Sequence, residues 1–178
     1  FIVSDVSNAR AFRGPQRCYI GITLPLVMKM SRLARQIAAS DAVVSAIGLP
    51  VETEREALEG IAFWMLLSFI ASHEYAHHDH GHLTRPTGHG ASVGRLWRQA
   101  QEADADGWAA YLVLNQWVLA DARPALLNLL SLHSASRKVQ DRIAVLCFFS
   151  AHAAFVFGSV SYPVAPEEVP WQTHPHSS

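Results

Sequence analysis

The stretch SHEYAHHDHGH, residues 72–82, holds five histidines, a glutamate and an aspartate in eleven positions. Ionisable groups are costly to bury unless something pairs with them, and a metal ion is one such partner. His73 and His77 stand four residues apart. On a helix they differ by about 40° in direction and one turn in height, so both imidazoles can face one ion. Glu74, beside His73, can reach a water on that ion without ligating it. H-E-x-x-H is thus the pattern of a zinc site carrying its own general base. A catalytic zinc takes three protein ligands and keeps one position open for water. The third is sought in QEADADGWAAYL, where Glu102 and Asp106 again stand four apart. Glu102 completes a set of two histidines and one glutamate. Asp106, one turn on, is placed to accept the outer N–H of a ligand histidine and fix its orientation. Asp104 lies about 200° round a regular helix from Glu102 and so falls outside the site.

Other residues compete for these roles. His78, His80 and His82 crowd the end of the motif helix. There His78 and His80 read as exposed residues favoured by the helix dipole when protonated. Any of the three could in principle supply a fourth ligand and close the site, which would make it structural. The longer form H-E-x-x-H-x-x-G-x-x-H fails, because His80 stands where it needs glycine and Leu83 where it needs histidine. All three methionines, Met28, Met30 and Met65, precede the motif's end, so no Met-turn follows it. Tyr75 is expected to pack or hydrogen-bond locally. His133 and His152, on apolar stretches, read first as satisfied core residues.

These side chains need rigid supports. Residues 52–80 are predicted as one long helix: ETEREALEG opens it with acidic residues, as the dipole favours, and IAFWMLLSFIA drives it into the motif. That middle is apolar on nearly every side, as in a helix buried at the centre of a domain. TRPTGHGAS (84–92) reads as a loop on its Gly and Pro content. It lets a second helix, from about Val93 to Leu119, pack back in the opposite direction. ADARP ends that helix near Asp121 to Pro124, and a short helix follows to about Leu132. Upstream, residues 1–17 read as polar and irregular, with RGPQR as a turn. CYIGIT (18–23) reads as a short strand. Pro25 then opens a helix that runs to Gly48-Leu49-Pro50. The fold class expected is mainly α, with a helical core around the motif helix and a small N-terminal strand element.

The 178 residues suit one domain, 1–178, with a sizeable core. Half are hydrophobic and 16% are charged, a low share, and the net charge is −1. No basic patch is present, so nucleic acid is not an expected partner. Cys18 and Cys147 lie far apart and form no metal-type pair, a usage that suits a reducing, cytoplasmic setting. From Ile143 to Val160 there are 18 residues without a formal charge. That length is at the lower edge of a membrane span, so 143–160 reads either as a core helix or as a point of membrane association. A chain that opens at Phe1 with no signal-peptide pattern is expected to be a piece of a longer protein, cut at both ends.

On these residues the sequence resembles the gluzincin metallopeptidases. HEYAHHDHGHL is similar to the H-E-x-A-H-x-x-x-G-H of the family that contains the heat-shock protease HtpX and the CAAX-processing proteases. It also resembles the phage-exclusion Lit-type peptidases. EADAD is similar to their E-x-x-A-D, with Glu102 in the ligand place and Asp106 in the supporting place. THPHSS (173–178) looks like their T/S-H-P element, although the chain stops before the arginine that normally follows. The resemblance implies a minigluzincin-like α+β fold and a zinc-dependent endopeptidase acting on a protein or peptide substrate. Zn2+ would be held by His73, His77 and Glu102, with Glu74 as general base and His174 as candidate donor to the oxyanion; His133 and His152 are the alternatives. EADADGWAAYLVL also resembles the E-x-x-A-N/D-x-F-A-x-x-L of ImmA-type peptidases, which cleave repressors; that is the second reading. A non-catalytic zinc-containing binding module is the third.

Overall fold

The computed structural model describes residues 5–47, 49, 54–83, 91–119, 122–129, 138, 141–142 and 144–146. These are mostly helical, with one small antiparallel sheet. Strands β1 (Ala9–Arg13) and β2 (Cys18–Ile22) form a hairpin in the register Ala11↔Ile20 and Phe12↔Tyr19. β1 falls where the sequence reads as irregular, because its alanines and arginines carry little strand preference. RGPQR does form the turn: Gly14 N–H donates to the Arg17 carbonyl at 2.8 Å. A Cβ on Gly14 would come within 2.8 Å of the Tyr19 ring, which stacks on Phe12 across the strands. Thr23 ties the base of the hairpin, exchanging hydrogen bonds with the Asn8 backbone at 2.9 Å.

Helix α1 (Leu24–Ala39) starts with proline in its first turn and buries Met30, Leu33, Ala34, Ile37 and Ala38, a stripe at three- and four-residue spacing. The expected run to residue 48 is broken at Ser40. Its backbone ends α1, and its hydroxyl accepts the Val43 N–H, starting α2 (Asp41–Ile47). Arg55 bridges this corner to the next helix, bonding the Ala38 carbonyl at 3.0 Å and Asp41 at 2.7 Å.

Helix α3 (Arg55–Asp79) is the central element. Its buried face runs Leu58, Ile61, Ala62, Met65, Leu66, Phe69 and continues directly into His73, Glu74 and Ala76. The apolar stripe therefore sets the direction in which the first histidine points. The helix is not enclosed all round: Trp64 is exposed, so the uniform hydrophobicity of its middle overstates its burial.

Helix α4 (Ala91–Leu114) runs antiparallel to α3, since His73 meets Asp106 while His82 meets Gln101. Ala76 on α3 and Ala105 and Ala109 on α4 are fully buried and small, which permits close approach of the helices. The helix expected to reach Leu119 passes at Asn115 into a π-helical segment, Asn115–Leu119. Helix α5 (Ala122–Leu129) follows, and Leu126 joins the core formed by α1, α3 and α4. Of 143–160, only residues 144–146 are described; they are helical, and Leu146 belongs to the same core. Among the described residues no helix is long and apolar enough to cross a membrane.

Candidate metal centre

α3 and α4 bring His73, His77 and Glu102 together, as their spacing predicts. His73 Nδ1 is 2.8 Å from Asp106 Oδ1, so the carboxylate accepts that N–H and turns Nε2 inward. His73 Nε2 lies 3.1 Å from His77 Nε2 and 3.2 Å from Glu102 Oε2, and His77 Nε2 lies 3.6 Å from the same oxygen. Ligand atoms at about 2.0–2.1 Å around a tetrahedral zinc stand about 3.3 Å from one another. The triangle thus has the edges of one face of such a site, and the donor set fits zinc.

Electrostatics agree with the geometry. Two nitrogens and a carboxylate oxygen this close need a positive charge among them. Burial opposes a charge on His73, yet its hydrogen bonds to Asp106 and Glu102 and their negative charge prevail and push its pKa up to about 9. In the metal-free protein a proton holds the place a cation would take. Glu74 is almost fully enclosed, and burial pushes its carboxyl up, against the pull of His73, His77 and the Ala11 N–H. That N–H, from the middle of β1, donates to Glu74 Oε2 and fixes the carboxylate beside the two histidines.

The end of α3 is a Schellman motif. Gly81 adopts φ +72°, its N–H bonds the His78 carbonyl at 3.2 Å, and the His82 N–H returns to the His77 carbonyl at 3.0 Å. This reversal lays His82 over His77, with Nδ1 3.1 Å from Nδ1. Gln101 then donates to the His82 carbonyl at 3.2 Å, fastening the turn to α4.

The remaining histidines are less idle than helix-end residues need be. His78 Nε2 donates to the Tyr19 carbonyl at 2.8 Å and anchors β2 to α3. His80 hydrogen-bonds Asp104 through Nδ1, and His82 Nε2 lies 3.2 Å from the same carboxylate oxygen. The bond from His80 holds the Asp104 carboxyl below the usual range, while burial and the nearby His77 hold His82 below the usual histidine value. Asp104 misses the His73–His77–Glu102 triangle, as its angle on the helix predicts. Tyr75 makes a local hydrogen bond to Asp79, one turn on. The Ala11 contact and the roles of His82 and Asp104 are not visible in the motif spacing. Gly81 was the available signal, since glycine after a helix marks a chain that turns back. His133, His152 and His174 lie outside the described residues. Comparison with known proteins found no matching protein family, no matching curated protein and no matching solved structure.

Proposed function

We propose that the protein is a zinc-dependent endopeptidase of the gluzincin kind, with a minigluzincin-like arrangement of helices around the hairpin. The observation that carries this reading is the triangle of His73 Nε2, His77 Nε2 and Glu102 Oε2, with edges of 3.1–3.6 Å, beside the buried Glu74. When bound there, zinc supplies Lewis acidity, which acidifies a water and polarises a carbonyl. A purely structural ion would not call for the glutamate next to its first ligand. Asp106 keeps the His73 hydrogen on Nδ1, so that Nε2 is available as a donor atom. Glu74, with its proton affinity raised by burial, is suited to take a proton from water and deliver it to the leaving amine.

The hairpin favours a peptide as substrate. The Ala11 N–H points away from β2 and toward Glu74. Backbone groups two residues apart share an edge of a strand, so Ala9 and Arg13 present theirs on the same side as Ala11. An extended chain added along that edge would be aligned past the general base. The test is incubation of the zinc-loaded protein with a mixed peptide library, read by mass spectrometry. Cleavage that disappears with a chelator and with Glu74→Gln, while that variant keeps its zinc and its helical spectrum, is the expected result. Identical cleavage by Glu74→Gln, or none by zinc-loaded wild type, counts against the reading.

A further inference from the structure

We propose that His80, His82 and Asp104 form a second, solvent-accessible site for a divalent transition-metal ion, and that filling it weakens the site at His73, His77 and Glu102. The donor atoms of the three residues lie within 4.8 Å of one another, one of two such groups among the described residues. They come from two elements: the Schellman turn carries the histidines and α4 carries the carboxylate. Both rings are already oriented. His80 packs against Trp108, with centroids 5.1 Å apart, and His82 is tied by the reversed chain and by Gln101. Two imidazoles with one carboxylate suit zinc, nickel or copper better than magnesium or calcium. Asp104 is 52% exposed, so water can fill the remaining positions, and the site is weaker than the enclosed triangle.

The two sites share one hydrogen. With a metal on His77 Nε2, the neutral ring keeps its hydrogen on Nδ1, which donates to His82 Nδ1 3.1 Å away. His82 then carries its own hydrogen on Nε2, facing Asp104. A metal on His82 Nε2 needs that nitrogen bare. The hydrogen must then move to Nδ1, where it meets the N–H of His77. Filling both sites therefore sets two donors against each other or pulls the rings apart, and by linkage each ion weakens the other equally. This coupling rests on the zinc site proposed above, whereas the existence of the second site does not.

Calorimetric titration of the full chain with zinc alone tests both parts. Wild type should bind one zinc tightly and a second at least tenfold more weakly. His80→Ala and Asp104→Asn, changes at partly exposed or exposed residues, should keep the first and lose the second. Glu102→Ala should lose the tight zinc and bind the other at least tenfold more tightly than wild type does, because His77 is free to yield its hydrogen. A second zinc in wild type that survives both His80→Ala and Asp104→Asn overturns the site, as does its complete absence from wild type and Glu102→Ala. A second zinc no tighter in Glu102→Ala overturns the coupling. Zinc bound through His80 and Asp104, with no tight zinc in wild type, would uphold the second site while rejecting the first.

Discussion

Replacing Asp106 by asparagine keeps the size of the side chain but removes the charge that accepts the His73 Nδ1–H at 2.8 Å. In the metal-free protein His73 is raised from 6.5 to about 9. A histidine raised on folding contributes stability that is fully present below its unfolded pKa and is lost as pH rises through its folded one. At 1.36 kcal/mol per pH unit, that interval corresponds to about 3 kcal/mol lost between pH 6.5 and 9. Urea unfolding in a chelator, at pH 6 and again at pH 9.5, measures it. Wild type should be less stable at the higher pH by up to about 3 kcal/mol, and Asp106→Asn should show much less of that loss. Titrating groups that do not interact with His73 are common to both proteins and cancel in the difference. Zinc reverses the trend, since it must displace the His73 proton: its affinity should rise about tenfold per pH unit from 6.5 to about 9. Equal pH dependence in wild type and Asp106→Asn would refute the assignment of Asp106 as the partner that holds His73.

Further substitutions probe the supports. Asp106→Asn should also lower zinc affinity by about 10- to 100-fold at pH 9.5, where a proton on His73 hardly competes in either protein, measured by competition with a chromophoric chelator, as expected when the outer partner of a metal-bound histidine is lost. Gly81→Ala meets no neighbour within 4 Å, so its cost is that of a φ of +72° alone, about 1–2 kcal/mol by thermal unfolding. Gly81→Asn should cost less, because asparagine tolerates that conformation. Ala105→Leu introduces bulk at a fully buried point on α4 and should cost about 1–3 kcal/mol. It should also lower zinc affinity, because Glu102 and Asp106 stand on either side of it.

The motif helix, its antiparallel partner and the four residues His73, His77, Glu102 and Asp106 were legible because helical geometry makes spacing a direct statement of direction. Two pairs at four-residue spacing, on helices joined by a short connection, leave little freedom in how they meet. The hairpin was half legible. The isoleucines and tyrosine of β2 announce a strand, whereas β1 is a strand because Phe12 stacks on Tyr19 across the hairpin and Ala11 docks beside the distant Glu74, contacts that lie outside its own five residues. Ser40 divides α1 from α2 through a single hydroxyl, a local choice that a continuous amphipathic pattern conceals. Asp104 followed the angular rule in missing the triangle, but its meeting with His80 and His82 depends on the reversal of the chain at Gly81. Spacing along one helix carries no information about residues beyond its end.

Elemental analysis of metal after dialysis against a weak chelator tests the central claim most directly, on wild type, Glu74→Gln and Glu102→Ala, each carrying Asp104→Asn so that only the enclosed triangle can hold zinc. About one zinc per chain in the first two and none in the third is the result that His73, His77 and Glu102 as ligands, with Glu74 beside them, require. Full zinc retention in Glu102→Ala, or no zinc in wild type, would contradict it.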